Sequence, residues 1–222
     1  MSYNIAIDGP AGAGKSTIAR KVAAEKLFIY VDTGAMYRSI ALYLLRKEIP
    51  AENVEAVKQA LSEIQISIRY ENGEQQVILN GENVSGLIRT EQVGNMASRA
   101  SALPCVREKL LELQRTLARE HDVVMDGRDI GTNILPNAQL KIYLTASVDT
   151  RAERRYRELQ EKGQECSLEE IKKDIEKRDD QDMHRKIAPL CQAEDAIYLD
   201  SSDLTIEQVT EKILKLCGEK EQ

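Results

Sequence analysis

The chain has 222 residues, 31 Lys and Arg against 37 Asp and Glu, and a hydrophobic content of 42%. That balance excludes wholesale disorder, and it is too acidic for a broad grip on nucleic acid, which depends on clustered Lys and Arg neutralising phosphates. No apolar run approaches the ~20 residues of a membrane span, and Met1-Ser2-Tyr3-Asn4 lacks the basic and apolar regions of a secretory signal, so a cytoplasmic protein with no nucleic-acid or membrane partner is expected.

In chain order, Ile5-Ala6-Ile7 reads as a buried strand, Asp8 to Gly14 as a loop, and Ile18, Ala19, Val22 and Ala23 as one face of a helix. Phe28-Ile29-Tyr30-Val31 is a second strand ending at Asp32, followed by a helix begun near Thr33 with Ile40, Leu44 and Leu45 on its apolar stripe. Ile64, Ile66, Ile68 and Tyr70 then alternate with polar residues, and Val77-Ile78-Leu79 lies between Asn72-Gly73 and Asn80-Gly81. Alternation around Asn-Gly predicts a small antiparallel insert. Pro104 opens a helix bearing Val106, Leu110, Leu113 and Leu117, and Val123-Val124-Met125, Leu140 to Leu144 and Ala196 to Leu199 supply three more buried strands. Gly163 stops a helix running from about Asp149, while Ser167 to Glu170 and Thr205 to Gln208 are capping boxes. The polar residues after Gly218 are expected to fray. Short apolar strands separated by helices imply an α/β fold with a five-stranded parallel sheet covered on both faces.

Gly9-Pro10-Ala11-Gly12-Ala13-Gly14-Lys15-Ser16 matches G-x-x-x-x-G-K-[ST] between a predicted strand and a predicted helix, the context that marks a phosphate-binding P-loop. Its backbone N–H groups cradle phosphate oxygens, Lys15 bridges the outer phosphates and the Ser16 hydroxyl ligates Mg²⁺. No N-K-x-D tetrapeptide of the GTPase type is present. Asp126-Gly127-Arg128-Asp129 follows a strand at the edge where open α/β sheets bind ligands, and Asp126 can hold Mg²⁺ through water; a capped turn with a surface salt bridge is the competing account.

Arg151, Arg154 and Arg155 share one helix face, either around an anion or as a solvated basic surface beside Glu153 and Glu158. Arg178, Asp182 and Arg185 also fall on one helix face, suited to a ribose and a phosphate or to plain surface ion pairing. His121 and His184 have no Ser or Cys dyad, so a hydrolase triad has no support. Cys105, Cys166, Cys191 and Cys217 stand too far apart to suggest a disulfide framework or a zinc site.

The P-loop together with Asp32-Thr33-Gly34-Ala35-Met36-Tyr37-Arg38, Asp126 to Thr132 and Lys177 to Asp182 closely resembles the bacterial cytidylate kinases over essentially the whole chain. Thr33 stands where many relatives have Ser, and Ser16 where some have Gly. The resemblance implies a single P-loop nucleoside monophosphate kinase domain over 1–222, with a nucleotide-binding insert near 62–87 and a short lid near 151–166. It implies a monomer that transfers the γ-phosphoryl group of ATP to CMP or dCMP with Mg²⁺.

Carried residue by residue, the resemblance lines the ATP phosphates with Gly9, Pro10, Ala11, Gly12, Ala13, Gly14, Lys15, Ser16 and Thr17. It assigns catalytic roles to Lys15, Arg128, Arg151 and Arg155, with Arg151 and Arg155 reaching in from the lid. Arg38, Arg128 and Arg178 would grip the CMP phosphate, Ser98, Arg107 and Asp129 would read cytosine, Asp182 and Arg185 would hold the sugar, and Thr33 would also line the CMP site.

Overall fold

The structure is a computed structural model that describes residues 2–71, 74–161 and 163–220. It begins with β1 (Asn4–Asp8), α1 (Lys15–Lys26), β2 (Ile29–Asp32), α2 (Thr33–Arg46) and α3 (Val54–Glu63), followed by β3 (Ile66–Glu71), β4 (Glu74–Leu79) and β5 (Glu82–Asn83). There follow α4 (Glu91–Ala100), α5 (Pro104–Glu120), β6 (Val123–Gly127), a π-turn at Ile130–Ile134, β7 (Leu140–Thr145), α6 (Val148–Glu161), α7 (Leu168–His184), β8 (Ile197–Asp200) and α8 (Ile206–Lys220).

The five expected strands form one parallel sheet in the order β2-β6-β1-β7-β8. Two-residue periodicity sends alternate side chains of β1 to opposite layers. Ile5 and Ile7 pack with Ile18 and Val22 of α1 and Val209 and Ile213 of α8, whereas Ala6 joins Met36, Ile40 and Leu44 of α2 and Val106 and Leu110 of α5. Strands buried on both faces, such as β1 and β6, read as apolar runs, which is why they stood out in the sequence; β8 at the sheet edge departs from the burial expected of it, with Tyr198 exposed.

The insert is a three-stranded antiparallel sheet, β3-β4-β5. Its turn at Asn80-Gly81 has φ of +49° and +87°, the left-handed pair that Asn-Gly adopts readily. The turn expected at Asn72-Gly73 lies outside the described residues. This sheet occupies 66–83, and residues 62–63 of the expected 62–87 span are instead the last of α3.

The insert meets the core at the open edge of β2. Gln75 accepts a hydrogen bond from the Asp32 N–H (2.9 Å) and donates one to the Asp32 carbonyl (3.2 Å), while Tyr70 donates to the Tyr30 carbonyl (3.2 Å).

Helix boundaries follow their caps. Thr205 and Gln208 close a reciprocal box, with side-chain oxygens accepting backbone N–H groups at 3.2 and 2.9 Å, and the Ser167 hydroxyl accepts from Glu170 at 3.5 Å. Gly163, at φ +69°, ends the arm begun by α6, donating to the Gln160 carbonyl.

Two expectations are corrected. Helix α8 runs through Gly218 to Lys220, because Ile213 and Cys217 are fully buried and anchor its last turns against the ~1 kcal/mol penalty of a helical glycine; Glu221 and Gln222, the rest of the tail expected to fray, lie outside the described residues. Arg185 is not on the helical face of Arg178 and Asp182: α7 stops at His184 and the backbone turns extended at Arg185. Among the described residues no helix is long and apolar enough to cross a membrane.

Candidate functional site

A cleft of about 700 Å³ opens at the carboxyl ends of β1, β2 and β6. The chain leaves β1 through the P-loop into α1, leaves β2 directly into α2, and leaves β6 into Gly127-Arg128-Asp129, so three strand ends deliver chemistry to one place.

On the P-loop side the N-cap of α1 is Gly14, which has no side chain to occupy the first-turn N–H groups. Those donors and the helix dipole suit an anion. The Lys15 ammonium is buried and donates to the Pro10 carbonyl at 2.6 Å. Burial, reinforced by the nearby Arg128 charge, holds its pKa well below the usual lysine value. Ser16 donates to the Asp126 carboxylate at 2.8 Å, Tyr30 donates to the same carboxylate at 3.0 Å, and Thr33 donates to the Asp126 carbonyl at 2.7 Å. Burial, with the Asp32 charge close by, pushes Asp126 up to about 6.

The residues from Ala11 to Thr17 line the cleft; Gly9 and Pro10 lie outside its lining. Gly9 is required by a close approach, since a Cβ there would sit 1.9 Å from the Leu144 carbonyl oxygen. Pro10 acts through the carbonyl that receives Lys15.

The opposite side is a web of ion pairs. Asp129 is buried and accepts hydrogen bonds from Arg107, from Arg185 (3.2 Å) and from Asn133 (3.1 Å). The Arg107 guanidinium lies over the Tyr37 ring, 5.7 Å from its centroid. Arg128 donates to Asp182 at 2.8 Å, and Arg38 pairs with Asp32 at 3.1 Å. Arg178 reaches into the same cleft with a buried Nε that has no partner. Desolvation, and after it the charge of Arg128, lowers the Arg178 pKa, as expected where cations converge without enough anions. Ser98 stands in the wall beside them.

The three α6 arginines part company. Arg151 is buried, donating to the carbonyls of Ala146 and Ala11 at 2.9 Å each and pairing with Asp179 at 2.7 Å. Arg154 donates to the Ser201 carbonyl at 2.7 Å, whereas Arg155 pairs with Glu158 at 2.9 Å. Arg155 makes the expected surface pair and, like the other two, which are turned further into the protein, also lines the cleft. The 151–166 span comprises most of α6 and its connection to α7, and Lys172 to Asp149 at 2.5 Å adds a second tie between those helices.

Sequence reasoning missed several participants. Ser201, Leu204, Thr205, Ile206 and Val209 form a largely apolar end wall beyond the P-loop. The only signal for them was the capping box at Thr205, which placed a helix start without saying what it faced. Asp179, Tyr37 and Asp8 were also missed. Asp8 is buried at the end of β1, and burial pushes it up to about 6 although the Gly131 and Ile130 N–H groups donate to it.

The model of the cytidylate kinase family matches residues 5–219. Cytidylate kinases of Caldicellulosiruptor saccharolyticus and Streptococcus pneumoniae are each 50% identical to this chain over 213 residues, covering 96% of it and 94% and 96% of their own lengths. Among solved structures, an uncharacterized protein from Eubacterium ventriosum superposes with a TM-score of 0.55 and the shikimate kinase of Bacteroides thetaiotaomicron with 0.50. Each of these is 13% identical and covers 97% of this chain and 98% of its own, a likeness of fold.

Proposed function

The chain belongs to the cytidylate kinase family, and from that premise we propose that it transfers the γ-phosphoryl group of ATP to CMP or dCMP, giving ADP and CDP or dCDP. The observation that carries this reading is the placement of Asp129, fixed between two arginines, across one cleft from the P-loop. A carboxylate offers about four lone-pair sites. Arg107, Arg185 and Asn133 occupy three of them, which leaves one acceptor position for the cytosine N4 amino group. Uracil would set a carbonyl oxygen against that same carboxylate with no proton between them, and unmade polar contacts of this kind discriminate strongly.

The acceptor phosphate is already an anion, so no histidine base is needed and the protein's contribution is positioning and charge neutralisation. Arg38, Arg128 and Arg178 converge where that phosphate would sit, and Asp182 steadies Arg128 while it faces the sugar. Lys15 would exchange the Pro10 carbonyl for phosphate oxygens of ATP. The apolar wall at Leu204, Ile206 and Val209 suits the adenine ring. Closure of the α6–α7 arm would let Arg155 leave Glu158 for the transferring phosphoryl group and would exclude water. Arg151 serves this reading by holding the P-loop carbonyl of Ala11.

Ser16 and Asp126 are hard oxygen donors in contact beside the phosphate loop, and Asp126 is a buried carboxylate short of positive charge, so the pair fits Mg²⁺, which takes few protein ligands and completes its shell with phosphates and water. When bound, the ion shields the charge of the outer phosphates. The reading keeps a monomer in a cytoplasmic setting, with Cys105, Cys166, Cys191 and Cys217 too widely spaced in sequence to suggest a disulfide framework.

The test is ADP formation from Mg-ATP with CMP, dCMP, UMP, AMP, GMP or no acceptor. Turnover confined mainly to CMP and dCMP is expected. Turnover with another acceptor would keep the kinase and discard the cytosine pocket, and binding of ATP without turnover on any acceptor would overturn the reading.

A further inference from the structure

A helix or π-turn begins with N–H groups that have no partner within it, and an Asp at the N-cap ordinarily folds back to accept one of them. Asp129 is the N-cap of the turn Ile130–Ile134, yet its side chain does not cap it. It accepts instead from the side chains of Arg107 and Arg185, outside the turn, and from the Asn133 side chain within it, leaving the first backbone N–H groups of the turn to another residue. The turn is capped by a residue from the far end of the sequence: the Asp8 carboxylate accepts the Ile130 N–H at 2.8 Å and the Gly131 N–H at 2.7 Å, one on each oxygen.

We propose that Asp8 is a positioning residue for base selection, relieving Asp129 of the capping its position demands so that its carboxylate faces the acceptor. The inference rests on the reading of Asp129 as the cytosine acceptor and adds the residue that keeps it so. Asp8 is well placed for this. It ends the central strand β1, paired in register with Gly127 of β6 and Tyr143 of β7, so its backbone is among the most constrained in the molecule. The turn also nests closely: a Cβ on Gly131 would lie 3.1 Å from Lys141 Cδ and 3.5 Å from the Asp8 carboxylate, and one on Gly127 would lie 2.6 Å from Ile130 Cδ1. Two charge-assisted hydrogen bonds to adjacent N–H groups fix both the height and the rotation of the turn, and so aim the side chain of the residue just before it.

Asp8→Asn keeps the shape but sets an amide N–H against one of the two backbone donors. Asp129 then has a competing use within its own turn. The expected result is a loss of about tenfold in the ratio of kcat/KM for CMP to that for UMP, with the KM for ATP held within about twofold. In the double variant with Asp129→Asn, the ratio should fall no further than in Asp129→Asn alone. A role confined to stability would lower both acceptors by one factor and leave the ratio intact, and that outcome overturns the proposal.

If the variant does not fold, the wild-type protein still decides the matter through amide exchange at Ile130 and Gly131. Protection already present without nucleotide supports a preformed clamp, and protection that appears only with CMP overturns it. A wild type that shows no preference for CMP over UMP overturns the cytosine reading and this role with it. A wild type that prefers CMP, beside an Asp8→Asn that keeps the full ratio, overturns this role alone.

Discussion

The two halves of the cleft are built by opposite means. The phosphate-loop half is made largely of backbone from contiguous residues, Ala11 to Thr17, completed by the Lys15 ammonium. The other half, the acceptor half of the proposed reaction, is made of side chains drawn from α2, α4, α5, the loop after β6 and the end of α7, held by Arg–Asp pairs that are mostly buried. A backbone cradle recognises what all nucleoside triphosphates share, whereas interlocked side chains present a pattern of donors and acceptors that can tell one base from another.

The division predicts that damage to one half spares the other. The largest effect belongs to Lys15→Ala, expected to lower kcat by ~10³-fold or more with every acceptor alike; a steady-state comparison on CMP and dCMP checks it, and near-normal turnover would undo the P-loop assignment. Next comes Asp129→Ala, which strands Arg107 and Arg185 and should reduce the preference for CMP over UMP by about 100-fold while the KM for ATP stays within about threefold. Equal losses for both acceptors would show that Asp129 serves the reaction in general.

A smaller change should follow from Gln75→Ala. Gln75 holds both backbone groups of Asp32, whose carboxylate pairs with Arg38, so the KM for CMP should rise roughly fivefold with kcat and the KM for ATP little moved. An ATP constant that rises in step would mean that the insert supports the whole cleft. The least is expected of Thr90→Ala, which removes the cap on Val93 at the start of α4. It should cost about 1 kcal/mol, or ~2–4 °C in Tm, by thermal denaturation and leave the CMP to UMP ratio unchanged.

The same contrast explains what could be read from the sequence. The P-loop was legible because its function resides in neighbouring residues whose spacing is the signal, and the sheet was legible because its central strands β1 and β6 are buried apolar runs. The hairpin insert showed itself through alternation and Asn-Gly turns. The acceptor half was legible only by resemblance, since no spacing rule joins Arg107 to Asp129 or Arg128 to Asp182. The capping of the 130–134 turn by Asp8 spans 122 and 123 positions of sequence, and a lone Asp before a glycine carries no mark of its partner. Arg185 defeated helical periodicity because the chain leaves α7 one residue earlier. Arg151 looked like an arginine waiting for an anion, and packing gave it the Ala11 carbonyl and Asp179.

The contact between the insert and β2 carries one more consequence. β2 is an outermost strand of the parallel sheet, and such a strand offers unpaired backbone groups to any passing chain. Gln75 takes the N–H and carbonyl of Asp32, and Tyr70 takes the carbonyl of Tyr30. The other border, β8, is four residues long, as β2 is. An appendage that holds Asp32 at the cleft therefore also shields the sheet from its own kind, and a chain deprived of it would be expected to self-associate along β2 before it lost its fold.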